Sequence, residues 1–313
     1  PEHGKIGTDP GMDVGDEVWY YSDNSADYSN KTTFWIAKGM QNSNEPLVDY
    51  WNGTQWGKAM FVGIRDCNVF IENIEKVPDL SAYDKETWKA EAKVLKAFYH
   101  FWMMRMYGPI PIIKENIPVS AGEDEVRVVR DKIDDIVTYI VSLIDESVEY
   151  LPLNIQNEAA EMGRITRPAA KAIKAKILAF AASPFFNGNL DYANFKNAEG
   201  EPFFNQVYDN EKWTKAADAC LEAIQCAEEA GHGLYEFVNM SSTQLSDETI
   251  LSLSNRCKVT ERWNKELVWG CGQSGIRDLQ VLCQPWLESN YSSDDRYHNA
   301  RNGTFAPTLA VAE

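Results

Sequence analysis

The chain has 313 residues, 44% of them hydrophobic and 25% charged, with a formal net charge of −17. That balance belongs to an ordinary core-forming protein. The negative charge argues against nucleic acid or an anionic membrane surface as partner, because both would repel it, and no apolar run approaches the ~18 residues of a membrane helix.

Residues 1–50 are rich in Gly, Asp, Asn, Ser and aromatics and read as loop, with a short helix expected near Glu17 to Tyr21. Asp23, Ser25 and Asp27 alternate as calcium ligands do, but the Gly and the distal Glu of an EF-hand loop are missing. A structural calcium ion is the one metal this pattern allows, and no cofactor is expected. From Trp51 to Val77 the spacing of Phe61, Ile64, Asn68, Ile71 and Ile74 predicts a helix ended by Pro78, with Asn68 as a buried amide bonded to neighbouring backbone.

The strongest periodicity lies in residues 84–107. Trp88, Ala92, Leu95, Tyr99, Trp102 and Met106 share one helical face, and Val94, Ala97, Phe98 and Phe101 make a second. This predicts a long central helix wrapped on more than one side, packed antiparallel on the one before it. Asp84 is expected at its N-cap, with Gly108 and Pro109 as the stop. After a linker over 114–130, a third helix is expected from Asp131 to Leu151, with Ile133, Ile136, Ile140, Ile144 and Val148 inside and its acidic residues as a solvated face. Thr166 caps a fourth helix, made thin by its alanines and ended by Ser183 and Pro184. A loop over 185–208 interleaves turn residues with aromatic rings. A fifth helix, Glu211 to Ala230, is expected to bury Trp213, Ala217, Cys220, Ile224 and Ala227 and to stop at Gly231. Beyond it, Thr249 to Leu253 and Glu266 to Trp269 read as short strands, and Phe305 to Ala312 as the start of a helical run.

These elements predict an all-α dominated fold, a tetratricopeptide-like α-solenoid of antiparallel helix pairs with long loop-rich insertions and a few short strands. The insertions remove the constant ~34-residue period of a regular array. The expected organisation is a single domain over 1–313, with 51–231 as the helical scaffold and 1–50 and 232–313 as loop-rich, ligand-facing segments.

Catalytic signals are weak. Gly270, Gly272 and Gly275 spell G-x-G-x-x-G, but no alternating strand–helix pattern surrounds them, as a dinucleotide site would need. His3, His100, His232 and His298 are scattered, and no nucleophile elbow or P-loop is present. The six cysteines show neither CxxC nor zinc spacing and read as mostly free, buried thiols, with a disulfide among Cys257, Cys271 and Cys283 left open. The reading is of a non-enzyme. The ten Trp and 14 Tyr supply flat rings suited to stacking on sugars, a role that competes with filling space between helices.

A resemblance is carried by W-x4-W (Trp51, Trp56), IRDCN-x-FIENI (Ile64 to Asn68, Phe70 to Ile74), EAKVLKAFYHF (Glu91 to Phe101), MYGPIPII (Met106 to Ile113), GRITRPAAKAIKAKILAFAASPFFNG (Gly163 to Gly188), WTKAADACLEAI (Trp213 to Ile224) and FAPTLAVAE (Phe305 to Glu313). In this order they resemble the SusD/RagB family of Bacteroidetes nutrient-binding proteins, over roughly residues 50–313. The resemblance implies a non-catalytic lipoprotein at the outer-membrane cell surface, with four tetratricopeptide-like helix pairs. It implies a SusC-like TonB-dependent transporter as partner, to which oligosaccharides or other nutrients are delivered. It also implies that the signal sequence, the N-terminal lipid anchor, the first helix and the C-terminal part of the family lie outside this chain.

The shared motifs are fold motifs and name no ligand residue. By chemistry, loop aromatics with neighbouring amides are the candidates: Trp19, Tyr28, Trp35, Asn42, Trp263 and Trp286. Two other readings compete: a scaffold binding a protein or peptide in its helical concavity, and an all-α carbohydrate-active enzyme, which would need two facing carboxylates.

Overall fold

The computed structural model describes residues 15, 18–20, 32–55, 57–240, 242, 244–270 and 305–307. They fall into two compact units, one from residues 1–60 and 271–313 and one from residues 61–270.

The first unit holds strand β1 (Val18–Tyr20) and helix α1 (Thr32–Ala37). A second strand, Phe305–Pro307, pairs antiparallel with β1, setting Trp19 opposite Ala306. Both strands stand where helix was expected, since Val, Trp, Tyr and Phe satisfy their backbone as readily by pairing across a ladder. Asp49, 1% exposed, organises the turn that follows: its Oδ1 accepts from Trp51 N (2.9 Å) and Asn52 N (3.1 Å), and its Oδ2 from Thr54 Oγ1 (3.0 Å). Burial pushes its carboxyl upward, but these donors prevail and hold it below the usual range.

The second unit is built on helices. Helix α2 (Met60–Asn73) begins later than the apolar spacing suggested, because residues 51–55 are spent in turns. Asn68 is buried as expected, though its Nδ2 donates to the Asn116 side chain (3.5 Å) rather than to backbone. Helix α3 (Ala82–Tyr107) is capped by Ser81, three residues before the expected cap. Ser81 Oγ accepts from Asp84 N (3.1 Å) and donates to Asp84 Oδ2 (2.6 Å), so Asp84 completes the cap from the first turn. Val94, Ala97, Phe101, Met103 and Met104 are fully closed to solvent, so α3 is wrapped on more than one side. Helix α2 runs antiparallel to it, with Gly63 under the Tyr99 ring and Glu75 paired with Lys89 (2.6 Å).

After the short turn α4 (Glu123–Val126), helix α5 (Ile133–Asp145) buries Ile133, Ile136, Ile140 and Ile144 against α3. Its acidic residues are not simply a solvated face. Asp134 pairs with Lys212 (2.5 Å), Asp145 with Lys174 (2.6 Å) and Glu146 with Lys93 (2.7 Å), each tying the helix region to a neighbour. Half-exposed pairs of this kind contribute about 0–1 kcal/mol each. The turn α6 (Glu158–Glu161) leads to helix α7 (Arg167–Ala182), where Thr166 Oγ1 accepts from Ala169 N, the cap read from the sequence.

Helix α8 (Glu211–Glu229) packs on α7 through Ala175, Ala219 and Ala223, with Leu178 beside them. Here the expected stripe is the wrong one. Trp213 is 43% and Ile224 55% exposed, and Cys220 is an exposed thiol, while Ala216, Ala219, Ala223 and Cys226 are buried. Two stripes share the helical period, and the alanine one wins because only small side chains fit the close approach to α7. Helix α9 (Asp247–Thr260) replaces the expected strand at Thr249 to Leu253, capped by Ser246 with Asp247 and Glu248 in its first turn.

A buried polar clamp joins α3 to the segment after it. His100 is fully buried, and its Nε2 must accept from Ile113 N–H (3.2 Å), which places the proton on Nδ1 for donation to Lys96 O (2.8 Å). Lys96, 3% exposed, donates through Nζ to Lys114 O (2.6 Å). Burial, with Lys96 nearby, depresses the imidazole from 6.5 to about 4. The unfolded chain therefore takes up this proton first as pH falls. Stability from the clamp is intact above about pH 6.5 and is lost progressively down to about pH 4, a loss on the order of 3 kcal/mol. We expect the urea midpoint to fall between pH 7 and pH 4.5, and His100→Gln to flatten that dependence; identical pH profiles for both proteins would refute the clamp.

Candidate functional site

A cleft of about 380 Å³ lies in the second unit. Three pieces of chain line it: residues 154–166 between α5 and α7, the end of α8, and residues 263–270. Each is shaped by local chemistry. Helix α8 ends in a paired C-cap, with His232 N donating to Ala227 O (2.9 Å) and Gly231 N to Glu228 O (3.0 Å), and Gly231 at φ +87° supplies the left-handed residue this needs. The cap delivers His232 to the cleft. Its Nδ1–H donates to Lys265 O (3.1 Å), the carbonyl that also accepts from Gly233 N (3.1 Å), leaving Nε2 as an acceptor.

The 263–270 wall is held from both ends. Asn264 Nδ2 donates to Lys258 O (2.8 Å) and Glu261 O (2.9 Å), and its Oδ1 accepts from Glu266 N (3.0 Å). Trp269 Nε1 donates to Gly163 O (3.0 Å), and its ring stands edge-on to Phe98 of α3 at 5.7 Å and 90°. Immediately before Asn264, Trp263 takes φ +55°. A bulky residue in that region costs about 1–2 kcal/mol and persists only where its surroundings over-determine it. Gly163 faces it at φ +100°, where a Cβ would come within 3.6 Å of Trp263 Cη2 and 3.0 Å of Gly270 O. A Cβ would meet the indole only in ordinary contact, so glycine is called for here by its φ and by the close approach of Gly270 O.

The opposite wall is tied to α3 by Arg164. Its Nε donates to Glu91 (3.0 Å) and its Nη1 to Glu161 (2.5 Å), and the guanidinium lies 5.5 Å over the Trp88 ring. Burial lifts the Glu91 carboxyl above its ordinary range against the pull of Arg164, so the bridge positions the wall more than it stabilises the fold. The lining thus combines an indole, an imidazole acceptor, the Asn154 amide and the charged heads of Lys265 and Glu158. Such a surface orients a polar ligand by hydrogen bonds while a ring supplies apolar area.

Of the residues chosen by chemistry, Trp263 alone lines the cleft among those described. Trp35 is half-buried in α1, and the Asn42 amide is used locally, its Oδ1 accepting from Asn44 N (3.0 Å) and Glu45 N (2.7 Å). Asn42 shapes its own turn rather than offering that oxygen to a ligand. Trp19 belongs to β1, and Tyr28 and Trp286 lie outside the described residues, as do Asp23, Ser25 and Asp27. Among the described residues no cluster of His, Cys, Asp or Glu could hold a metal. Gly270 follows turns rather than a strand, while Gly272 and Gly275 lie outside the described residues. Sequence reasoning missed Trp269, Arg164, Gly163 and His232. The first was assigned to a strand, and the others carry no local pattern that marks a cleft.

The fold and cleft together define a helical-repeat protein with a ring-bearing cleft set in the loops beside its helices. The family profile described as starch-binding associating with the outer membrane matches residues 8–178, and the chain belongs to this SusD-like family. A SusD-like protein of Bacteroides ovatus is 31% identical over 99 residues, which is 32% of this chain and 16% of that protein. The solved structure of BT4246 matches with a TM-score of 0.70 at 28% identity, over 86% of this chain and 47% of its own. A laminarin-binding SusD-like protein shares the fold, with a TM-score of 0.51 at 18% identity over 79% of this chain and 43% of its own. The chain therefore spans less than half the length of these relatives, and the tetratricopeptide-like helical architecture is common to them.

Gly163→Ala tests how closely this part of the cleft is held. With φ at +100° and Gly270 O in the way, we expect a loss of at least about 1 kcal/mol in stability and a changed tryptophan emission. A variant as stable as the parent, with unaltered emission, would show that this wall does not depend on glycine at 163.

Proposed function

We propose that the chain belongs to a cell-surface glycan-binding protein that captures oligosaccharides with the Trp263 cleft and delivers them to a SusC-like TonB-dependent transporter in the outer membrane. The observation that carries this reading is Trp263 itself, a ring held at φ +55° against a glycine in a polar-lined cleft. Strain maintained at such a residue points to use. Membership of a family described as starch-binding and outer-membrane associated supports it. The net charge of −17 suits a neutral ligand and disfavours polyanions.

The reading is non-catalytic. Among the described residues lining the cleft Glu158 is the sole carboxylate, whereas glycoside hydrolysis uses two. Lipid anchoring and the transporter contact belong to the same proposal and rest on the family alone.

Titration calorimetry with maltoheptaose and laminariheptaose is the direct test. We expect Trp263→Ala to weaken binding about 10-fold, the loss of one stacked ring and its orientation, with unchanged helical circular dichroism. Equal affinity of variant and parent would sink the cleft as the binding site.

A further inference from the structure

The loop after α7 presents rings that the cleft does not use. Its backbone is closely fixed. Asn187, 3% exposed, donates through Nδ2 to Asp209 O (2.8 Å) and accepts at Oδ1 from Asp209 N (2.8 Å). Asn189 N donates to Asn205 O (3.0 Å), and Phe203 N to Phe195 O (3.1 Å). Within this frame three rings lie in one stack: Phe186 on Phe204 at 13° and 6.1 Å, and Phe204 on Tyr192 at 24° and 4.9 Å. The inner two are 2% exposed, but Tyr192, the outermost, is 40% exposed. Phe185, 46% exposed, stands beside it at 66° and 5.6 Å.

Stacking on Phe204 accounts for one face of Tyr192, and the residue remains 40% exposed. A ring laid flat on a buried stack is rigid, and a second ring at a steep angle gives it a wall. The axial C–H groups of a pyranose pack on such a face, while its hydroxyls remain free for water and polar neighbours. Asp191 and Asn194, both exposed, flank Tyr192 in the chain. The flat face would also suit a nucleobase, but a chain of net charge −17 repels the phosphates that come with it.

We propose that Tyr192 and Phe185 form a second glycan-contact site, separate from the Trp263 cleft, taking one pyranose of a neutral oligosaccharide on the exposed part of the Tyr192 ring. The site rests on the reading of the chain as a glycan-binding protein but not on the cleft.

The test uses the full chain with ring-13C tyrosine, the Tyr192 resonance being assigned from Tyr192→Phe. Maltoheptaose and laminariheptaose are titrated to about 10 mM, enough to saturate a site with Kd near ~1 mM. The Tyr192 signal should shift with at least one probe in the parent and also in Trp263→Ala. Tyr192→Ala should weaken the affinity of that site about 5-fold while Tyr192→Phe, which keeps the ring, retains it. The ring signal of the parent decides the matter even if Tyr192→Ala fails to fold. A Tyr192 signal that stays still while Trp263→Ala loses affinity overturns this site and leaves the cleft standing. A signal that moves while Trp263→Ala binds like the parent supports this site and removes the cleft. Silence toward both probes, with no binding heat, overturns both.

Discussion

A helix whose Val94, Ala97, Phe101, Met103 and Met104 are all closed to solvent has little free surface left, and its neighbours must meet both its shape and its polar positions. Helix α3 imposes this on the second unit. Its apolar positions bring α5 and α7 alongside. Its buried polar ones, His100 and Lys96, take backbone partners from the segment over 113–114 and so hold the exit of the helix in place. At its other reaches, Glu91 and Trp88 receive Arg164 and Phe98 receives Trp269. The two walls of the cleft are therefore both fastened to one rigid element, which is how loops far apart in sequence keep a fixed separation.

How much of this could be read beforehand depended on the kind of signal. Strong periodicity with a cap and a stop, as in α3 and α7, located the helices well, because propensity, pattern and capping agree there. Helix α5, with no side-chain cap, spans less than the expected range. Disagreement arose where two solutions satisfied the same pattern. Helix α8 has an alanine stripe and a larger apolar stripe, and only its packing partner decides between them. The run TILSL suits a strand by composition, yet Ser246, Asp247 and Glu248 just before it are a helix start, and the cap prevailed. The short segments VWY and FAP became strands only by finding each other across nearly the whole chain, and no local window contains that information.

The cleft was less legible than the fold for a related reason. Trp263 could be singled out by residue type, but what makes it distinctive is a backbone angle and a cleft assembled with chain from about a hundred residues earlier. Asn42 had the right chemistry too, and the structure uses its amide for its own turn. A side chain's capacity to bind is set by what remains after the fold has taken its share of hydrogen bonds, and that remainder is a three-dimensional quantity.

The stripe left open on α8 bears on how separate molecules meet. Trp213, Leu221 and Ile224 make a band of exposed apolar surface on a chain that carries −17 net charge. At low ionic strength mutual repulsion keeps such bands apart, since fields reach about 30 Å at 0.01 M salt. Near 1 M salt the same fields die within about 3 Å, shorter than a side chain. Colloidal behaviour in this protein is thus governed by the range of its charge, with the hydrophobic band supplying an attraction that acts only once that range has collapsed.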